Sequence, residues 1–174
     1  MNARAANDVA SFLPALRRAQ ALVLDVDGVL TDGRLYYGAK GETLKVFHVR
    51  DGHGIKAVAR AGITVAIISG RKTPAVARRA RDLGIRHVFQ GVPDKMPVLK
   101  KLAAKLGLPL DRFVAIGDDT PDASVLAAVG VGVAVADAHD DAHSAAVLRT
   151  SLPGGHGAVR EVCDWLLAAR EGRA

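Results

Sequence analysis

Cysteine and aromatic residues are scarce in this chain of 174 residues. The single cysteine, Cys163, excludes a disulfide framework and a multi-cysteine metal site, and it fits a reducing cytoplasm. Phe, Trp and Tyr make up only 4% of the residues, and no dense block of Lys and Arg accompanies the net charge of +6. Nucleic-acid binding is therefore disfavoured, and the basic surplus suits a solvated surface or a small anionic substrate.

Long apolar runs are also absent, since none approaches the roughly 20 residues that a membrane-spanning helix needs. The N-terminus lacks a basic stretch followed by a long apolar segment and a cleavage site, so we expect no export and no membrane attachment. The length and the hydrophobic content of 49% suit a single domain over 1–174. Its N-terminal extension, 1–19, is predicted to be disordered over the first ten or so residues and helical after them.

Short runs rich in Val and Ile alternate with longer stretches of helical spacing. This alternation predicts right-handed crossovers and a doubly wound, mostly parallel, Rossmann-like α/β sheet covered on both faces. Residues 33–49 depart from it and predict a β-hairpin outside the main sheet. The predicted strands are Leu22–Val26, Thr64–Ile68, His87–Phe89, Phe113–Ile116 and Gly132–Val135. The predicted helices are 53–61, 74–83, 94–106, 121–128, 140–146 and 157–170, the last within a C-terminal tail and helix at 151–174.

Two acidic pairs stand where predicted strands end. Asp25 and Asp27 follow the first strand, and Asp118 and Asp119 follow the fourth. Because the carboxyl ends of parallel strands meet at one edge of the sheet, we expect four carboxylates to gather there. Burying like charges together is costly unless a cation compensates, and oxygen-only ligands suit a hard divalent cation such as Mg²⁺.

A hydroxyl and a lysine are predicted at the same edge. Ser69 in "AIISGRK" offers a hydroxyl and backbone amides at a helix start, a suitable place for phosphate oxygens. Lys95 in "GVPDKMPVL" offers a fixed positive charge. An aspartate nucleophile, a second acid two residues on, a metal ion, a hydroxyl and a lysine together form a phosphoryl-transfer site.

Four motifs occur in an order that resembles the haloacid dehalogenase-like phosphatases: "DVDGVLTDG", "IISGRK", "PDKMPVL" and "IGDDTPD". The stretches "VFHVRDGHGIKAV", "GVAVADAH" and "GGHGAVREVCDWLL" resemble the subfamily that hydrolyses 3-deoxy-D-manno-octulosonate 8-phosphate. The resemblance covers about residues 20–170. It implies a Mg²⁺-dependent phosphomonoesterase that takes a small, acidic sugar phosphate in the cytoplasm, in lipopolysaccharide precursor synthesis.

The resemblance also implies a role for each motif residue. Asp25 would be the nucleophile that forms an aspartyl-phosphate, and Asp27 would protonate the leaving group and then activate water. Mg²⁺ would be held by the Asp25 carboxylate, the Asp27 main-chain carbonyl and Asp118, while Ser69 and Lys95 would hold the phosphoryl oxygens. The positions implied to contact substrate are Asp27, His48, Val49, Arg50, Asp51, Gly52, Lys56, Ser69, Gly70, Arg71, Arg79 and Lys95.

The chain has no room for the cap domain that many relatives insert, because the gaps between its motifs hold only the hairpin and single helices. An open site would admit water, so something else must cover it. The resemblance implies a homotetramer in which a neighbouring subunit's hairpin and C-terminal tail complete each site. The apolar arms of the hairpin suit such an interface, and "PGGHGAVRE", 153–161, is expected to be the mobile tail. His156 stands where arginine is common in the subfamily.

Other interpretations stay open at this point. The same chemistry could act on another sugar acid, such as a nonulosonate 9-phosphate. Clustered aspartates with a hydroxyl and a lysine are also typical of phospho-accepting receiver domains, and a non-catalytic assembly protein could retain the fold. Asp119 is expected to cap a helix and Asp122 to be a supporting or structural residue. His139 and His143, four residues apart, are weak candidates for a zinc site because no third ligand is evident.

Overall fold

The computed structural model describes residues 8–172, so that residues 1–7, within the stretch predicted to be disordered, lie outside the described residues, as do 173 and 174. In chain order the elements are α1 (Val9–Arg18), β1 (Ala21–Leu24), β2 (Tyr36–Gly38), β3 (Gly41–Leu44), α2 (Val49–Arg60), β4 (Thr64–Ser69), α3 (Pro74–Leu83), β5 (His87–Gln90), α4 (Lys95–Leu106), β6 (Phe113–Gly117), α5 (Ala123–Ala128), β7 (Val131–Ala134), α6 (Asp140–Ala145), β8 (Leu148–Arg149) and α7 (Ala158–Glu171). Short 3₁₀ helices at Leu110–Arg112 and Thr120–Asp122 precede β6 and α5.

Six parallel strands form the central sheet in the order β5-β4-β1-β6-β7-β8, which confirms the doubly wound α/β prediction. Strand β1 lies at the centre, with Leu24 opposite Ile67 on β4 and opposite Ile116 on β6. The residues that follow these three positions therefore emerge together at one edge. Because that edge is the carboxyl end of every strand in the sheet, side chains from distant parts of the sequence meet there.

The sheet is covered on both faces, and the central strands β1, β6 and β7 are buried along their whole length. Along β1, Leu22 and Leu24 face helices α1, α2, α3 and α7, while Ala21 and Val23 face helices α4, α5 and α6. Cys163 of α7 is fully buried in the first of these layers, so the lone thiol is part of the core.

The hairpin of β2 and β3 is antiparallel and separate from the main sheet, as predicted. Helix α2 begins at Val49, four residues earlier than predicted, because His48 caps it by accepting a hydrogen bond from the backbone N–H of Arg50. Strand β8 was not predicted, since a strand of two residues leaves no periodic pattern. None of the helices between residues 8 and 172 is both long and apolar enough to cross a membrane.

The segment 153–161, predicted to be a mobile tail, packs against the rest of the chain in this structure. Residues 153–157 form a turn that packs on the loop following β1, where Gly155 N donates to Val29 O at 2.9 Å. A Cβ atom on Gly154 would collide with the carbonyl oxygen of Gly28, so only glycine allows this approach. The remaining residues form the buried first turn of α7.

Candidate active site

Three strands deliver polar side chains to the carboxyl edge of the sheet. Asp25 directly follows β1, Ser69 is the last residue of β4, and Asp118 directly follows β6. Lys95 reaches the same place as the first residue of α4, whose start is fixed by Asp94, since that carboxylate accepts a hydrogen bond from Met96 N at 3.1 Å. The edge thus collects the motif residues from four separate stretches of the chain.

Asp25 and Lys95 form a buried ion pair supported by a second carboxylate. The Lys95 Nζ lies 2.8 Å from Asp25 Oδ1 and 2.6 Å from Asp122 Oδ1, and all three residues are more than nine-tenths buried. Burial and the charge of Asp122 raise the pKa of Asp25 to about 6, although Lys95 opposes the change. The other Asp122 oxygen accepts the backbone N–H of Asp118 at 3.2 Å. Asp122 is therefore a central support of this edge.

Asp118 carries the group that is hardest to ionise at this edge. Burial, and then the charges of Asp25 and Asp122, raise the pKa of Asp118 to about 8. Carboxylate oxygens of all three aspartates lie within 4.8 Å of one another. A Cβ atom at Gly28 would collide with the Asp118 carboxylate, so this glycine leaves the space in which that side chain lies.

The donor set fits a hard divalent cation. Asp122 already accepts from Lys95 and from backbone amides, which leaves Asp25 and Asp118 as the two carboxylates open to a metal ion. Crowded carboxylates with raised pKa values are the arrangement that a cation such as Mg²⁺ relieves. Zinc at His139 and His143 finds no support, because His139 Nδ1 accepts from Asp141 N and no cluster of three metal-binding residues within 8–172 includes a histidine.

The loop after β1 gives Asp27 other contacts than those of Asp25. The carbonyl of Val26 accepts backbone hydrogen bonds from Leu30 and Thr31, at 2.9 and 3.0 Å, which closes a tight turn. Gly28 in this turn has a φ of 89°, a conformation that favours glycine. Two aspartates only two residues apart therefore have different surroundings.

Asp27 belongs to a ring of four charged side chains that the hairpin completes. Lys45, the residue after β3, contacts Asp27 Oδ1 and lies 2.8 Å from Glu42 Oε1. Arg71 Nη2 lies 2.8 Å from Glu42 Oε2, and its Nε lies 3.9 Å from Asp27 Oδ2. Hydrogen bonds from Lys45 and Arg71 lower the pKa of Glu42. Burial works against the charge on Lys45, but bonds to Asp27 and Glu42 outweigh it and raise the pKa of the ammonium.

Ser69 lies beside the loop 70–73 and not at a helix start. Its hydroxyl is buried and accepts a hydrogen bond from Arg71 N at 3.4 Å, whereas α3 begins only at Pro74. The amides predicted to surround a phosphate there belong to this loop, with Gly70 exposed at its start. Ser69 and Gly70 keep their predicted place at the edge, but the helix terminus does not contribute.

The other residues predicted to contact substrate are spread over α2 and α3. Val49 and Arg50 are exposed in the first turn of α2, and Lys56 is exposed further along that helix. Arg79 packs 5.7 Å from the centre of the Phe47 ring and donates to His48 O at 3.3 Å. Four basic residues outside the motif lysine were predicted to contact substrate: Arg50, Lys56, Arg71 and Arg79. Within the described part of the chain, only Arg71 of these four forms ion pairs with carboxylates at the edge.

Asp51 and Gly52 were predicted to contact substrate, yet their side-chain positions are buried. The Asp51 carboxylate accepts the backbone N–H of Arg160 at 2.8 Å, so it caps the start of α7. Burial raises the pKa of this carboxyl group. A Cβ atom on Gly52 would meet the Arg79 guanidinium, so a larger residue would displace that side chain. Both residues support the turn at His48, and neither presents a side chain to solvent.

The sequence did not indicate Lys45 and Glu42 as residues of this edge. It also did not indicate that Asp122 binds both Lys95 and the backbone beside Asp118. The signal for Asp122 lay in "DDTPD", where a third acid comes one helical turn after the first. Asp119, as predicted, caps the short helix that follows, since it accepts from Thr120 N at 2.7 Å. A lysine and a glutamate on a hairpin give no such signal, because the pattern does not reveal which face turns inward.

Comparisons with known proteins agree with this geometry. The family model of haloacid dehalogenase-like hydrolases matches residues 87–157. The chain is 47% identical over 150 residues to 3-deoxy-D-manno-octulosonate 8-phosphate phosphatase KdsC of Yersinia pestis, covering 86% of this chain and 80% of that protein. The enzyme of the same name from Escherichia coli K12 is 45% identical over 92% of this chain and 86% of its own.

A solved structure is similar over nearly the whole chain. The 3-deoxy-D-manno-octulosonate 8-phosphate phosphatase of Moraxella catarrhalis superposes with a TM-score of 0.91, at 38% identity and with 93% of each chain covered. That protein was crystallised with a magnesium ion, a phosphate ion and a 3-deoxy-D-manno-octulosonate molecule.

Proposed function

This chain belongs to the 3-deoxy-D-manno-octulosonate 8-phosphate phosphatases of the haloacid dehalogenase-like hydrolases, and from that premise we propose that it hydrolyses this sugar phosphate to 3-deoxy-D-manno-octulosonate and phosphate. The observation that carries the proposal is the buried edge where Lys95 pairs with Asp25 beside Asp118. Such an edge suits a phosphoryl group, because it combines a nucleophilic carboxylate with a fixed cation and room for a metal ion.

Asp25 is the proposed nucleophile. Its carboxylate oxygen attacks phosphorus and forms an aspartyl-phosphate, while the ester P–O bond breaks and the protonated Asp27 carboxyl gives its proton to the leaving alkoxide. Water then attacks phosphorus and gives a proton to Asp27, and the bond to Asp25 breaks with release of phosphate. Lys95 and the Ser69 hydroxyl, both at the same edge, are proposed to hold the phosphoryl oxygens.

Mg²⁺ is the cofactor of the proposed reaction. The Asp25 and Asp118 carboxylates and the Asp27 main-chain carbonyl would hold it, and when bound it supplies positive charge that polarises the phosphoryl oxygens. Ionised Asp118 requires such a cation, because burial and neighbouring aspartates raise its pKa to about 8.

We propose that basic side chains near the edge bind the sugar acid. Arg71 is half-exposed within the ring of Asp27, Lys45 and Glu42, where its guanidinium can pair with a carboxylate of the substrate. We also propose that residues 48–50, Lys56 and Arg79 contact the substrate.

Assembly into a homotetramer is proposed from the surface of the hairpin. The apolar side chains of Leu35, Leu44 and Val46 are exposed by 44%, 54% and 51%, and a second copy could bury them. Four chains of 18.2 kDa would then share an assembly in which hairpins meet and help to cover each open site. We further propose that the enzyme acts in the cytoplasm, in lipopolysaccharide precursor synthesis.

Phosphate release from sugar-acid phosphates tests the function. The purified protein with Mg²⁺ is offered the eight-carbon 8-phosphate and a nine-carbon nonulosonate 9-phosphate, with Asp25→Asn as the blank. We expect higher kcat/KM for the eight-carbon substrate, and loss of at least about 10³-fold in the variant, because the nucleophile is removed. Preference for the nine-carbon substrate would reassign the substrate, and absence of turnover would favour a receiver or assembly protein.

A further inference from the structure

We propose that Lys45 and Glu42 of the hairpin are positioning residues that fix the orientation of the Asp27 carboxylate for proton transfer. The inference rests on the acid–base role proposed for Asp27. It assigns the hairpin a part in the chemistry of its own subunit, beyond the covering of a site.

Lys45 is held inside the protein by Asp27 and Glu42. Its side chain is 2% exposed, although the residues on either side of it, Leu44 and Val46, point to solvent. A buried ammonium group is costly unless carboxylates compensate it, and Lys45 has two, of which Glu42 lies 2.8 Å away. Lys45, just past the end of β3, is therefore the residue that turns inward between two exposed neighbours.

The ring holds the Asp27 carboxylate directly at one oxygen. Lys45 contacts Oδ1, while Arg71 Nε lies 3.9 Å from Oδ2, too far for a direct hydrogen bond. Glu42 binds both cations at 2.8 Å, one with each of its oxygens. Lys45 is thus the direct support of Asp27, and Glu42 fixes the place from which Lys45 acts.

The same arrangement occurs at the nucleophile. There Lys95 bridges Asp25 and Asp122 at 2.8 and 2.6 Å, both at buried positions. Each of the two aspartates of the first motif therefore has its own buried lysine, and each lysine is held by a second carboxylate. In the first case the supporting residue comes from the helix after β6, and in the second it comes from the hairpin.

A proton donor acts only within hydrogen-bond reach of the atom that it serves, and a shift of about 1 Å can cost about 100-fold in rate. Removing the Lys45 ammonium frees Oδ1 of Asp27 and leaves Glu42 with one cation in place of two. We therefore infer a loss in the steps in which Asp27 moves a proton, with substrate binding retained.

The test compares Lys45→Met with Lys40→Met, the same substitution at an exposed position of the same hairpin. With the eight-carbon sugar phosphate, we expect kcat of Lys45→Met to fall about 10- to 100-fold and KM to stay within about twofold of wild type. Lys40→Met should match wild type. Glu42→Gln, which keeps Lys45, should also lower kcat and leave KM unchanged, with a smaller loss than Lys45→Met.

Leaving-group chemistry separates positioning from mere support of the fold. 4-Nitrophenolate leaves without protonation, so single-turnover release from 4-nitrophenyl phosphate should change less than about threefold in Lys45→Met. Because Lys45 is proposed to act through Asp27, adding Lys45→Met to Asp27→Asn should cause no further loss.

Equal losses on both substrates, or losses that multiply in the Asp27→Asn background, would overturn the inference, as would wild-type kcat in Lys45→Met. If circular dichroism shows that Lys45→Met does not fold, the two-substrate comparison and the Asp27→Asn double variant are made with Glu42→Gln, and they test the inference in the same way. A wild-type protein that does not hydrolyse the sugar phosphate would instead refute the proposed function.

Discussion

Two carboxyl groups at the sheet edge have pKa values far above the usual range for aspartate, about 6 for Asp25 and about 8 for Asp118. Burial is the largest cause for both, and neighbouring carboxylates add to it. At the same edge Asp27 is paired with Lys45, and its different surroundings suit a different role. Environment, more than residue type, thus separates the proposed nucleophile and metal ligand from the proposed acid and base.

Asp122→Asn tests the support that Lys95 receives. The asparagine amide cannot both accept from the backbone N–H groups of Asp118 and Asp119 and offer a charge to Lys95, so one contact of this buried residue is lost. We expect a loss of about 2–3 kcal/mol in the free energy of unfolding and about 10-fold or more in kcat. Urea denaturation and steady-state kinetics measure the two effects.

The matched control is Asp119→Asn, the same substitution three residues before Asp122. Asp119 is exposed and caps a short helix, where asparagine is as good a cap as aspartate. Its stability should stay within about 0.5 kcal/mol of wild type. If the two variants behaved alike, Asp122 would be an ordinary cap and its contact with Lys95 would be incidental.

At the residue scale the sequence predicted where the motif residues lie, but not the residues that support them. Asp25, Ser69 and Asp118 could be placed because all three lie at the carboxyl ends of parallel strands, and one rule of topology brings such positions together. Lys45 could not be placed, because it lies 18 residues from Asp27 on a hairpin whose inward face only the folded chain defines. Contacts of this kind depend on how an element docks, and local patterns do not encode docking.

At the scale of elements, the hairpin combines ion-paired residues with exposed apolar ones. Lys45 and Glu42 join the ring around Asp27, whereas Leu44 and Val46 are exposed. An isolated two-stranded hairpin is only marginally stable, so the ion pairs and burial by another copy would each stabilise it. Sequence periodicity predicted the hairpin and its apolar arms, but not these ion pairs.

Leu44→Glu tests the proposed assembly. Because Leu44 is 54% exposed within one chain, a charge there should cost the single chain little but should oppose burial in an interface. We expect wild type to have the mass of a tetramer by light scattering and the variant to shift to smaller species at equal concentration. Leu152→Glu, a change at a residue 40% exposed in the loop before α7, should leave the mass unchanged. A wild-type monomer would refute the assembly.

The glycines before α7 bring two distant parts of the chain together. They allow a close approach, since side chains at Gly154 and Gly155 would strike the backbone of the loop after β1. The Asp51 cap then joins α2 to the start of α7. Such long-range packing leaves no periodic signal in the sequence.

At the scale of the whole molecule, the alternation of strands and helices was enough to predict the layers. The strand order follows from right-handed crossovers and from the two halves winding outward from β1. Only β8, with two residues, escaped prediction. Burial of many apolar residues stabilises the fold. This stabilisation outweighs the cost of burying the acidic side chains at the carboxyl edge of the sheet.

Stability of the metal-free protein should therefore fall as pH rises. Asp25 and Asp118 hold protons in the folded state at pH values where the unfolded chain has lost them, because their folded pKa values are about 6 and about 8 against an ordinary 3.8. A group with a raised folded pKa stabilises the fold below its unfolded pKa, and this stabilisation is lost as pH rises through the folded value. The window runs from about pH 4 to about pH 8.

Bound Mg²⁺ should reverse this trend, because it pairs with the ionised carboxylates and binds only the folded chain. Thermal unfolding with Mg²⁺ and with EDTA should thus show a difference in midpoint that grows from about pH 5 to about pH 8.5. Burial lowers the pKa of His87 and His143, which works in the opposite direction, so the decisive comparison is with Asp118→Asn. In that variant the Mg²⁺ effect should disappear, and the slope should lose the part due to Asp118 while Asp25 and Asp51 keep theirs. A midpoint difference independent of pH, or retained in Asp118→Asn, would show that the metal ion binds elsewhere.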